Sequence, residues 1–165
     1  MDNLQLSQGG SIAFASGALA AGTTAGTIKT TVIVPYTIDG VFASKAITDN
    51  IPFTVAIPAT FSTPANGAFT GAAVGGSVRT YGVYMDAAGT VTYYPGRITN
   101  AADLAAGVDT LQFTQPIKGR VCIGAVRVSL TANTTFVPGT TALGAAGVTA
   151  TFLNFATIPG EPLKV

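Results

Sequence analysis

Apolar positions in this chain fall in short runs of β-branched and aromatic residues, punctuated by glycine, proline and Asx-Gly pairs. Almost nowhere do they recur at the three-to-four-residue spacing of an amphipathic helix. The pattern predicts a first strand over 10–15 and a flexible connection over 17–26. A long strand over 27–38 follows, in which Pro35 is expected at an edge or a bulge because it cannot donate to the ladder. Asp39-Gly40 predicts a hairpin turn to a partner strand over 41–47. A further strand is expected over 53–57, and 64–76 reads as a loop with turn points at Asn66-Gly67 and Gly75-Gly76.

The clearest local unit is a hairpin, 78–85 and 90–94, joined by Asp86-Ala87-Ala88-Gly89. Aspartate at the first turn position and glycine at the fourth suit a type I turn. Thr99-Asn100-Ala101-Ala102-Asp103 predicts one short helix over 100–106. Asn100 caps its free amides, Asp103 complements its positive end, and Gly107 ends it. Strands over 118–130 (with a bulge at Gly124), 134–137 and 148–155 complete the chain, with a Pro138-Gly139 turn between the last two. About eight to ten strands with at most one helix predict an all-β antiparallel sandwich or jelly roll. The expected organisation is an N-terminal arm (1–9), a β-sandwich domain (10–157) and an extended C-terminal arm (158–165).

Composition sharpens this. Of 165 residues, 48% are hydrophobic and only 9% charged, against roughly 25% charged in ordinary soluble domains. Thr is abundant, Gly (20) and Pro (9) are spread through the whole chain, Glu, Lys, Arg and Gln are scarce, and Glu161 is the one glutamate, while Thr, Val and Ile favour a pleated surface over a helix. A surface kept wet by so few ions is poorly defended against association. Part of it is therefore expected to be covered in an oligomer or larger assembly. The net charge is +1, and Arg79, Arg97, Lys118, Arg120 and Arg127 are scattered, which speaks against a nucleic-acid footprint. The apolar stretch 12–21 lacks the positive flank of a signal peptide and is shorter than the about 20 residues that span a bilayer. No membrane partner is therefore expected, and the sequon at Asn133 carries no weight.

Histidine is absent, which removes catalytic triads, histidine metal sites and imidazole acid–base chemistry. Cys122 lies in an apolar run and reads as a buried, inert thiol. Asp86 and Asp109 are the acids to consider for calcium, although a turn explains Asp86 better. Tyr93 and Tyr94 are candidates for a sugar platform. As strand neighbours they must face opposite sides, one towards the core and one towards the surface. No catalytic, cofactor or metal residue is assigned, no cofactor or small-molecule substrate is expected, and the chain is read as non-enzymatic.

Three segments carry a resemblance. Lys118-Gly119-Arg120-Val121-Cys122-Ile123-Gly124-Ala125-Val126-Arg127-Val128 precedes Thr135-Phe136-Val137-Pro138-Gly139-Thr140-Thr141-Ala142-Leu143 and then Gly147-Val148-Thr149-Ala150-Thr151-Phe152. Together with the Tyr84-Met85-Asp86-Ala87-Ala88-Gly89-Thr90-Val91 hairpin, they resemble a structural module of tailed-bacteriophage virion proteins, over 78–155. The resemblance implies a capsid decoration or cement subunit: a homo-oligomer, dimer or trimer, bound to the major capsid protein on the outside of the head. Heptads and collagen-like repeats are missing, which favours a compact subunit over a fibre. The alternatives are a head-fibre or tail-associated receptor-binding module, then a carbohydrate-binding sandwich, then an enzyme.

Overall fold

The computed structural model describes residues 10–56, 67–112 and 118–156. The predicted arms, 1–9 and 158–165, lie outside these residues. Twelve strands and one helix occur among the described residues, nearly all strands antiparallel neighbours. The first half of the chain builds two small sheets. β1 (Ile12–Ala13), β4 (Val34–Ile38) and β5 (Val41–Lys45) pair in the order β1-β4-β5, while β2 (Leu19–Ala21), β3 (Thr27–Thr30) and β6 (Thr48–Pro52) pair in the order β2-β3-β6. The second half contributes β7 (Phe69–Thr70), β8 (Ser77–Asp86), β9 (Val91–Asn100), α1 (Ala101–Ala105), β10 (Arg120–Leu130), β11 (Thr135–Phe136) and β12 (Val148–Leu153). Its main sheet runs β12-β10-β8-β9, and β7 pairs with β11. The chain is all-β and sandwich-like.

The main sheet supplies one wall of the core. Tyr81, Val83 and Met85 of β8 and Val121, Val126 and Val128 of β10 face Ala13, Ile28, Val34 and Tyr36 of the two small sheets. Phe53 locks the layers together. It stacks on Tyr93 at 4.0 Å and meets Tyr81 edge-on at 5.1 Å, geometries that add to simple area burial. On the far side of the main sheet, Val78, Leu104 and Leu111 form a second small cluster beneath α1. β8 is thus buried on both faces, every residue but Asp86.

Local signals read from sequence hold where a turn or cap dictates them. Asp39 and Gly40 both adopt positive φ (50° and 80°) between Ile38 and Val41, which face each other across the ladder. That is the type I′ geometry matching strand twist. Asn100 caps α1 by accepting from the Ala102 amide at 2.8 Å, and Gly107 closes it with φ of 70°. The expected bulge in β10 appears as a register shift between Cys122 and Gly124.

Long-range pairing overrides propensity elsewhere. The run 27–38 is not one strand: it breaks at residues 31–33, and β3 and β4 join different sheets. Thr31 turns aside, donating its amide to the Gly17 carbonyl and its hydroxyl to that of Ala18. The supposed flexible connection contains β2, held because Leu19 is buried and its amide donates to Asn154 Oδ1 at 2.6 Å. Pro35 lies in the middle strand of its sheet, not at an edge. The β1 ladder stops at Ala13 opposite Tyr36, so the missing proline donor falls just past its end. β6 was not expected, and the described part of the predicted strand 53–57, residues 53–56, forms only a parallel bridge from Val55 to Tyr93. Ile57 and Asn66 lie outside the described residues. β5 ends at Lys45, leaving Ile47 exposed.

Candidate functional site

Each residue singled out for chemistry is drawn into structure. Asp86 accepts from the amides of Ala88 and Thr90 through Oδ1, at 3.0 and 2.9 Å, and so fixes the β8–β9 turn. Asp109 pairs with Arg97 and accepts from the Thr110 amide at 2.8 Å. Among the described residues, no three His, Cys, Asp or Glu side chains gather to hold a metal. Burial pushes the Cys122 thiol up to about 12, partly offset by a backbone hydrogen bond at Gly124, while its Sγ–H donates to the Gly124 carbonyl. A thiol held that high carries almost no thiolate near neutral pH.

Tyr93 and Tyr94 divide as strand geometry requires. Tyr93 is wholly buried in the core, whereas Tyr94 lies half-buried on the other face, edge-on to Tyr84 and beneath the Arg120 guanidinium. They form no joint platform.

Arg79, within the predicted strand 78–85, is a buried charge. It is 1% exposed. Its Nε donates to the Gly96 carbonyl at 2.9 Å, its Nη1 donates to the Gly67 carbonyl at 3.1 Å, and its guanidinium lies over the Tyr81 ring. The Tyr81 hydroxyl donates to the same Gly67 oxygen at 2.7 Å. Burial lowers the arginine's proton affinity, and the neighbouring Tyr81 opposes that. One of the few charges is therefore an internal strut that ties 67–70 to the main sheet and leaves the surface still poorer in ions.

That surface carries an apolar patch on the β1-β4-β5 sheet. Along β5, Ala43 packs towards the core opposite Tyr36, so Phe42 and Ser44 point away from it. Phe42 is 67% exposed, Phe14 is 56% exposed, and their rings lie 6.2 Å apart. Ile33 before β4, Val41 at the start of β5 and Ile47 beyond its end are exposed as well, Val41 on the face opposite Phe42 by strand alternation. β5 is also the edge of its sheet. Its one charge, Lys45, is turned inward, where Nζ donates to the Gly89 carbonyl at 2.9 Å. Sequence reading placed 41–47 as a strand but could not say which side would lack a cover. The adjacency of two large apolar residues in Val41-Phe42 was the available sign, since a strand with one solvated face should alternate.

Comparisons with protein-family models, with curated proteins and with solved structures found no match.

Proposed function

We propose that this chain is a non-enzymatic virion subunit that decorates and cements a phage capsid. In this reading it binds the outer surface of the major capsid protein lattice and stabilises the head. The observation that carries the assembling part is the exposed Phe14–Phe42 pair on an edge-terminated sheet of a chain that is only 9% charged. Contiguous apolar surface of this kind marks interaction sites. The phage assignment draws on the resemblance over 78–155. A cement subunit binds the assembled lattice and not its loose components, so it stabilises the shell by mass action.

Cosedimentation with expanded heads lacking the protein tests this. Saturable binding at a fixed ratio to the major capsid protein supports it, and failure to bind at any concentration overturns it. The second reading, a head-fibre or tail-associated receptor-binding module, is favoured by the same exposed aromatics. Binding to host cells by the isolated chain, without binding to heads, would select it.

A further inference from the structure

We infer that the edge of β5, unpaired among the described residues, pairs with the β5 edge of a second copy, making a two-fold dimer with one continuous six-stranded sheet. This deepens the assembly reading above and rests on it. The backbone sets the register. Pro35 faces Ser44 and has no amide hydrogen, and its carbonyl is turned towards β1, where it accepts from Phe14. Pro35 and Ser44 are therefore a pair that exchanges no ladder bonds. By the alternation of an antiparallel ladder, Phe42 and Ser44 both aim their N–H and C=O groups away from β4. Neither amide has a hydrogen-bond partner among the described residues.

Two such edges are self-complementary. Antiparallel pairing about Ala43 sets Phe42 opposite Ser44 of the second copy and the reverse, so all the outward donors and acceptors of these residues meet partners. It also sets Lys45 opposite Val41 of the second copy. No like charges oppose one another. Natural edges avoid such pairing with outward lysines, prolines or bulges. Here Lys45 is held inward by Gly89, Pro35 lies on the neighbouring strand, and the β4–β5 ladder is regular. The contact is isologous, so it closes at two copies and does not propagate.

Sedimentation velocity of the full chain over a concentration series tests this, with Phe42→Lys and Ser44→Pro as variants. Phe42 is solvent-exposed, and the Ser44 amide points off the sheet, so neither change removes a bond to β4. Val108→Lys is the control, being 80% exposed beyond the opposite face of the main sheet. The expected result is a wild-type mass rising from one chain to two, weakened at least about tenfold by either β5 variant and unmoved by the control. Amide exchange at Phe42 and Ser44 should slow in the concentrated sample. A wild-type chain that stays monomeric throughout overturns the inference, as does an oligomer that neither variant shifts. Head binding is measured separately with wild-type protein, so its failure would count against the proposed function and leave the dimer result standing.

Discussion

Phe14 and Phe42 sit side by side in solvent, their ring centres 6.2 Å apart, although one follows β1 and the other lies on β5. A fold that needed them for its own core would have turned them inward, as it turns Ala43 and Tyr36. Replacing each with serine should therefore change the unfolding free energy of dilute protein by no more than about 1 kcal/mol. The same variants should weaken cosedimentation with heads. Urea midpoints and pelleting assays on one set of preparations separate the two effects.

Arg79 and Tyr81 share a single acceptor, the Gly67 carbonyl, and this makes their losses non-additive. Tyr81→Phe leaves Gly67 bonded to Arg79 and should cost about 1 kcal/mol. Arg79→Met leaves the buried Gly96 carbonyl without this donor and should cost about 2–3 kcal/mol. The double variant strips Gly67 of both side-chain donors. Its cost should exceed the sum of the single losses by about 1 kcal/mol, as measured by a double-mutant cycle in urea.

Two glycines at nearly equal φ separate strain from clearance. Gly40 (φ +80°) has nothing within 4 Å of an added Cβ, whereas at Gly76 (φ +78°) that atom would sit 2.0 Å from the Leu130 carbonyl oxygen. Gly40→Ala should cost about 1–2 kcal/mol, the left-handed penalty alone. Gly76→Ala adds a backbone collision and should cost about 4 kcal/mol or more, or prevent folding. Thermal melts of the pair check the ordering.

Alkali should unfold this protein more readily than acid does. Burial raises the Cys122 thiol to about 12 and pushes the Tyr81, Tyr84 and Tyr93 phenols above their ordinary range. Their folded values lie above the unfolded ones of about 8.5 for cysteine and about 10 for tyrosine. The stabilisation is therefore complete below about pH 8.5 and declines as the pH rises. Each ionising group contributes a slope of up to about 1.4 kcal/mol per pH unit. Urea midpoints between pH 8 and 11 should fall, and Cys122 should react with a thiol reagent only as the chain opens.

Much of the fold was legible because local chemistry dictated it. Asp39-Gly40, Asp86 to Gly89, Asn100 and Gly124 each impose a backbone geometry by their own side chain or by lacking one. What stayed hidden depended on distant partners. β2 exists because Leu19 has Asn154 to accept its amide and β3 to pair with, and β6 because β3 offers a second edge. The split of 27–38 is equally non-local, since its residues have strand propensity throughout and only sheet membership separates them. The candidate surface was half legible. Low charge predicted that some face would be covered, but exposure of Phe14 and Phe42 follows from which side of the β1-β4-β5 sheet meets the core. The enclosure of Arg79 was not legible either, because no spacing rule brings the Gly67 and Gly96 carbonyls near its side chain.

The proposal that this chain decorates a phage head is tested most directly by electron microscopy of virions recovered from the source of the gene, labelled with an antibody to this chain. The expected label is distributed over the whole outer shell of the head and lost from particles that lack the gene product. Label confined to the tail tip, or virions carrying none, would contradict it.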